Sequence, residues 1–250
     1  MSLRVDVVPC FSDNFAYVLS RSGGGAVVVD PCDAGPILAH LERAASSLSA
    51  IWVTHHHPDH TSGLSGLLAA FPRAEVVAHA SERERVSPVT RAVADGERVE
   101  AAGIAATALH VPGHTRGALA FVVEDAPPRV FTGDTLFGAG CGRLFEGTPG
   151  EMLRSLERLA ALGDDTLVYP GHEYTESNLR FALHVADDAP TRARAERVRA
   201  LRAEGRPSVP STMGEERLTN PFLRVRALSP GEPAEQAFAA LRAKKDAFRR

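Results

Sequence analysis

At 250 residues the chain can bury a full core, as one large domain or as a main domain with an appendage. A hydrophobic content of 44% and a charged content of 24% are those of an ordinary globular protein, and no apolar run reaches bilayer-spanning length. Three cysteines (Cys10, Cys32 and Cys141) are too few for a disulfide framework, and the segment Met1-Ser2-Leu3-Arg4-Val5-Asp6 lacks the apolar core of a signal peptide. The expectation is a protein of a reducing cytoplasm with no membrane partner.

Strand-like patterns come first: Leu3 to Val8, Phe15 to Leu19, then Ala26 to Asp30 after the Gly23-Gly24-Gly25 turn. A helix is predicted over 34–47, with Ile37, Leu38 and Leu41 on one side. The apolar run Ala50-Ile51-Trp52-Val53 reads as a buried strand and is followed by a helix over 63–71. Further strands are expected at 76–78, 108–111, 118–123, 129–132 and 166–169, with a helix over 151–162. Strands dominate, helices intervene, and both sheet faces need covers, so the class is α/β or α+β.

Past residue 174 the character changes to helices over 176–185, 192–204 and 233–248, parted by the proline-rich Arg206-Pro207-Ser208-Val209-Pro210 and by Asn220-Pro221-Phe222. The reading is therefore a main domain over 1–173 and a helical domain over 174–250. Charge follows the same boundary. Residues 1–173 carry 13 Lys+Arg against 21 Asp+Glu, and residues 174–250 carry 15 against 10, which together give the net charge of −3. A basic tail suits an anionic ligand or simply a solvated helix face, and the acidic whole argues against nucleic acid. The arginines at 192, 194, 197, 199 and 202 are expected to be solvated.

The most informative segment is Thr54-His55-His56-His57-Pro58-Asp59-His60, at the mouth of a strand-to-helix turn. In extended chain, side chains two apart point the same way, so His55 and His57 can grip one ion while His56 turns away to pack beneath the site. Pro58 breaks the path and lets Asp59 and His60 reach a second position. Three later residues follow a strand and a tight Gly/Pro turn: His114 after Val111-Pro112-Gly113, Asp134 after Thr132-Gly133, and His172 after Pro170-Gly171. One zinc wants three or four protein ligands, whereas seven candidates suit two ions sharing a carboxylate and a water. The partition is His55, His57 and His114 on one, Asp59, His60 and His172 on the other, with Asp134 between. Asp30, which ends a strand before Pro31, is expected to support these ligands from behind or to shape a turn. His79 and His110 are read as structural, His40 and His184 as unremarkable helical residues, and Cys141 as a backbone-shaping residue in a glycine-rich loop.

The Thr-His-x-His-x-Asp-His cluster and the order of the later His, Asp and His resemble the metallo-β-lactamase superfamily. The resemblance implies a four-layer αββα sandwich with metals at one edge of two sheets. Gly140-Cys141-Gly142-Arg143-Leu144-Phe145-Glu146-Gly147-Thr148, Gly171-His172-Glu173-Tyr174-Thr175, Asn220-Pro221-Phe222-Leu223-Arg224 and Arg242-Ala243-Lys244-Lys245-Asp246 are similar to the glyoxalase II (hydroxyacylglutathione hydrolase) family over nearly the whole chain.

That resemblance implies hydrolysis of S-(2-hydroxyacyl)glutathione thioesters, S-D-lactoylglutathione above all, by a hydroxide shared between two divalent metals, zinc before iron or manganese, in methylglyoxal detoxification. It implies Asp59 and Asp134 as catalytic carboxylates, a glutathione site at Arg143, Phe145, Tyr174, Arg242 and Lys245, and a monomer. Phe145 departs from relatives that carry tyrosine there, which removes a hydroxyl contact. On the residues alone, Arg242 and Lys245 lie three apart and share a helix face, where two cations clamp a carboxylate. Lys244 and Lys245 are the chain's two lysines against 26 arginines, which hints at a point charge there. The alternatives are a mononuclear iron persulfide dioxygenase, a β-lactam or lactone hydrolase of the same fold, and an inactive metal-binding relic.

Overall fold

The computed structural model describes residues 2–248. By its internal contacts the chain forms two compact units, one running to His110 and including Gly117–Gly133, the other made of Val111–Arg116 and the chain from Asp134 onward.

The first unit begins with β1 (Arg4–Cys10), β2 (Asn14–Ser20), β3 (Ala26–Val29), α1 (Ala34–Arg43), β4 (Leu48–Trp52), α2 (Pro58–Thr61), α3 (Leu64–Ala70), β5 (Glu75–His79) and β6 (Arg91–Val93). These strands form one sheet in the order β1-β2-β3-β4-β5-β6. The hairpin-linked strands pair antiparallel, with Val7 opposite Tyr17 and Tyr17 opposite Val29. From β3 onward the pairing is parallel, Val29 against Trp52 and Trp52 against Val77, because α1 and then α2–α3 supply the crossovers that parallel neighbours need. β7 (Arg98–Ala101), β8 (Ile104–His110), β9 (Leu119–Val123) and β10 (Arg129–Gly133) then run as antiparallel neighbours in the order β10-β9-β8-β7.

Side chains from the two strand groups meet in a dry interior. Trp52 stacks on Phe121 at 5.2 Å between ring centroids, and Tyr17 packs on Phe131 at 5.4 Å. All four are buried, each worth about 1.5–3 kcal/mol of transfer free energy. On the other face of the first sheet, Ile37 and Leu41 of α1 and Leu64 and Leu67 of α3 pack with Val18, Val28, Ile51 and Val76. The strands carry apolar residues on both faces because both faces are covered.

Helix α1 stops at Arg43, four residues before the sequence expectation, since Ala45 takes φ +48° and the Ser46 N–H returns to Leu41 O at 3.0 Å. The Arg91–Val93 and Arg98–Ala101 strands were not expected. They are short and alanine- and charge-rich, and a hairpin at Ala102 and Gly103, both at positive φ, joins the second of them to β8.

The second unit continues with β11 (Leu136–Phe137), β12 (Gly140–Cys141), α4 (Pro149–Ala160), β13 (Leu167–Pro170), α5 (Thr175–Val185), α6 (Ala189–Ala203), β14 (Ser211–Thr212), α7 (Met213–Thr219), α8 (Val225–Leu228) and α9 (Ala234–Ala247). α4 starts on a full capping box, Thr148 with Glu151. The proline-rich stretch is no free linker: Ser208 donates its N–H and hydroxyl to the Glu173 carboxylate at 2.7 and 2.6 Å, and Ser211–Thr212 pairs with β13. The tail helices close on Phe181, Phe222 and Phe238, with Phe181 and Phe222 stacked at 6.1 Å.

One arginine of α6 corrects the expectation. Arg194 is buried and pairs with Glu216 and Glu215, whereas Arg192, Arg197 and Arg199 are exposed. The arginines repeat around α6, but position 194 falls on the face that also carries Ala195 and Val198, and a charge there survives only with a buried partner.

Candidate metal centre

In the first unit the ligand candidates follow β4. His55 Nε2 lies 3.1 Å from His57 Nδ1, and the His55 ring is 4.2 Å from that of His60. Ligand atoms of His55 come within 4.8 Å of those of His57 and His60, and those of Asp59 and His60 are equally close. Pro58 occupies the first position of α2, so the chain turns at the proline and carries Asp59 and His60 on a single helical turn.

A buried carboxylate organises this loop. Asp30 accepts the Thr54 N–H at 2.8 Å, the Thr54 hydroxyl at 2.7 Å and the His60 Nδ1–H at 2.9 Å. His60 Nδ1 is thereby the protonated nitrogen, which leaves the Nε2 lone pair for a ligand. Asp30 itself sits at φ +51°, a conformation that aspartate tolerates better than most residues. Asn14 Nδ2 donates to both the backbone and the side-chain carboxylate of Asp59, each at 3.1 Å. His56 points away as alternation predicts, its Nδ1 2.7 Å from the buried Glu82 carboxylate. His79 and His110 stack on each other at 4.4 Å, and desolvation, aided by the neighbouring His110, pulls the His79 pKa below the ordinary histidine value.

In the second unit three candidates meet around one oxygen. Asp134 Oδ2 is 3.4 Å from His114 Nε2 and 3.4 Å from His172 Nε2. All three are buried. His114 Nδ1–H donates to the Arg143 carbonyl at 2.9 Å, which fixes the tautomer and turns Nε2 toward Asp134. His172 lies flat on Tyr174 at 4.7 Å and 5°, with Phe137 edge-on at 5.9 Å. The flanking glycines make this possible. Gly113 has φ +153° and backs onto Met152, while a Cβ on Gly142 would stand 1.9 Å from the Asp134 carbonyl. Imidazole and carboxylate donors in this ratio suit zinc, iron or manganese, and a carboxylate oxygen midway between two imidazole nitrogens is the arrangement a cation would bind.

The predicted substrate residues lie in the same unit in unlike settings. Arg143 is 68% exposed and sits 3.7 Å from Asp246, and Phe145 is 63% exposed with its ring 5.2 Å from that of His114. Tyr174 carries the stack on His172. Lys245 donates to Ser177 O at 3.4 Å and lies 5.1 Å over the Phe181 ring. Arg242 is buried, donating to Cys141 O and to Asp246, each at 2.9 Å, with its guanidinium 5.0 Å over Phe222. Burial pushes the Cys141 thiol up to about 11, so it stays a protonated, packed side chain. Sequence reasoning missed Asn14, whose partner Asp59 is distant in the chain, and the bond of Thr54 to Asp30. Among the described residues no helix is long and apolar enough to cross a membrane.

Comparison with known proteins covers nearly the whole chain. The model of the metallo-beta-lactamase superfamily matches residues 11–172, and that of the hydroxyacylglutathione hydrolase C-terminus matches residues 173–248. A hydroxyacylglutathione hydrolase of Ruegeria pomeroyi is 45% identical over 99% of this chain and 100% of its own length. Among solved structures, the BLEG-1 B3 metallo-beta-lactamase superposes with a TM-score of 0.69 at 22% identity, over 88% of this chain and 99% of that one. TTHA1623 in a di-iron-bound form gives 0.62 at 25% identity, over 88% of this chain and 100% of its own.

Proposed function

The chain belongs to the metallo-β-lactamase superfamily and, within it, to the hydroxyacylglutathione hydrolases, and from that membership we propose that it is a thioester hydrolase cleaving S-(2-hydroxyacyl)glutathione to glutathione and a 2-hydroxy acid. The preferred substrate is S-D-lactoylglutathione, and the setting is methylglyoxal detoxification by a cytoplasmic monomer. The observation that carries the reading is the Asp134 carboxylate oxygen standing equally far from two histidine nitrogens, each ring oriented by its own partner.

The residues that would hold two divalent ions are His55, His57 and His114 for one and Asp59, His60 and His172 for the other, with Asp134 shared. Zinc is the proposed metal, ahead of iron or manganese. Bound there, the ions would supply Lewis acidity and bring the pKa of a water molecule to about 7.

The chain's own residues do the rest. Asp30 and Thr54 hold His60 and His55 in register, and Asn14 keeps the Asp59 carboxylate turned so that it can orient the attacking water. The leaving group is a thiolate of conjugate-acid pKa about 8.5, so it departs without a strong general acid and no Ser-His-Asp set is required. Residues 174–250 act as the substrate-binding domain. Arg143, Tyr174 and Lys245, with Arg242 behind them on the Lys245 face of α9, hold the glutathione carboxylates, and Phe145 offers an apolar wall where a tyrosine would offer a hydroxyl.

The test is steady-state hydrolysis of S-D-lactoylglutathione beside a non-glutathione thioester, with released thiol and bound metal measured on one sample. Two metals per chain and a strong preference for the glutathione thioester are expected, with turnover falling at least about 100-fold in Asp134→Asn and His57→Ala. Unchanged hydrolysis and metal content in those variants would refute the assignment.

A further inference from the structure

The short hairpin of β11 and β12 turns at Gly138 and Ala139 and lies between Asp134 and Arg143 in the chain. Four buried side chains from the helical tail take up its backbone groups. Asn178 Nδ2 donates to Gly138 O at 3.0 Å, and Asn220 Nδ2 donates to Gly140 O at 3.0 Å and to Phe137 O at 3.3 Å. The Ala139 N–H donates to Glu216 Oε2 at 2.8 Å, and Arg242 Nη1 donates to Cys141 O at 2.9 Å. Asn220 and Glu216 are wholly buried, and the second Glu216 oxygen is taken by Arg194 and by the Ser211 hydroxyl.

The turn is buried, so its backbone groups need partners, but the partners it has are costly ones. Ala139 sits at φ +53°, which a residue with a Cβ holds only where its surroundings over-determine it. A buried carboxylate and guanidinium pair is also an expensive way to fix one peptide N–H. Both stems of the hairpin, however, end in the metal centre. Asp134 lies two residues before β11, Gly142 N returns to Thr135 O at 3.3 Å, and the next carbonyl, that of Arg143, accepts the His114 Nδ1–H. Phe137, whose carbonyl Asn220 holds, packs edge-on against His172.

We propose that Asn220 and Glu216 are positioning residues of the metal centre: by clamping the 137–140 turn they fix Asp134, His114 and His172 relative to one another. The Asn220-Pro221-Phe222 motif thereby has a role beyond packing, and the tail tunes the ligands as well as binding substrate. The inference rests on the reading that those three residues hold a metal.

The experiment uses the full-length protein and its Asn220→Ala variant, with Asn178→Ala, which loses one hydrogen bond to the same turn where Asn220→Ala loses two, as the second variant should the first not fold. Zinc affinity is measured by chelator competition, the visible spectrum is taken on the cobalt-substituted protein, and kcat and KM are determined separately beside the thermal midpoint. Zinc affinity is expected to fall roughly 10- to 100-fold, as when partners of metal ligands are removed. The cobalt bands should shift, and kcat should fall with KM unchanged. A folded variant with wild-type zinc affinity and cobalt spectrum, even one that melts earlier, overturns the inference. Wild-type protein that takes up no zinc overturns the metal reading itself, and the two failures are told apart by that control.

Discussion

Asp30 shows how one buried side chain can set the tautomer of another. Its carboxylate accepts from Thr54 twice and from His60 Nδ1, so it selects the His60 tautomer and ties it to the end of β4. Replacing it with asparagine keeps the shape but offers an amide where a carboxylate accepted, and the His60 proton loses its preferred site. Asp30→Asn should lower metal affinity roughly 10-fold or more, read by chelator competition, while far-UV circular dichroism stays as in wild type. Gly142→Ala should do worse, because its Cβ would overlap the Asp134 carbonyl at 1.9 Å. Metal counted after purification should drop well below wild type. An alanine variant with full metal would show that the turn yields. At this scale the sequence announces the ligand candidates and one of their supports, Asp30 at a strand end before Pro31: four histidines and an aspartate are crowded into 55–60, whereas Asn14 and Glu82 meet them only through the fold.

Helix α4 is a case where sequence and structure agree to within two residues, because its start is written in local chemistry. Thr148 Oγ1 accepts the Glu151 N–H at 3.2 Å, and the Glu151 carboxylate accepts the Thr148 N–H at 2.7 Å. Those hydrogen bonds, from the Thr148 backbone first and its hydroxyl second, hold the Glu151 carboxyl below the ordinary carboxylate value. A carboxyl whose pKa is lowered by folding stabilises fully above its unfolded value and loses that stabilisation as pH falls through the lowered one. Thr148→Ala should cost about 1 kcal/mol at neutral pH, and the gap between the melting curves should narrow without closing on acidification below the carboxylate range, because the Glu151 N–H bond to Thr148 Oγ1 does not titrate. A gap that does not change with pH would mean the Glu151 carboxylate takes no part in the cap. The strands at Arg91–Val93 and Arg98–Ala101 have no such local signature. Alanines and charged residues fill them, and they pair only because β5 and β8 are already in place. Buried Arg194 escaped notice for the same reason, since nothing in its repeat of arginines says which one faces Glu216.

At the scale of the molecule the relevant quantity is charge. The chain carries a net −3 in total but an excess of cations after residue 173, and the proposed substrate is a peptide with two carboxylates. Lys245 of that region and Arg143 ahead of it are the cations proposed to meet it, Arg143 mostly exposed and already 3.7 Å from Asp246. An exposed guanidinium so placed exchanges one carboxylate for another at small net cost, so its contribution to binding should depend on screening. The Debye length shrinks from about 10 Å at 0.1 M salt to about 3 Å at 1 M. KM for the glutathione thioester should therefore rise several-fold across that range while kcat holds, because the proposed chemistry centres on the buried His114, Asp134 and His172. Lys245→Ala should raise KM by roughly tenfold, about 1.4 kcal/mol, and flatten the salt dependence. A neutral thioester run in parallel should show neither effect. If salt instead lowers kcat with KM constant, the cations serve the metal centre and not the substrate, and the anion-binding role assigned to Arg143 and Lys245 fails.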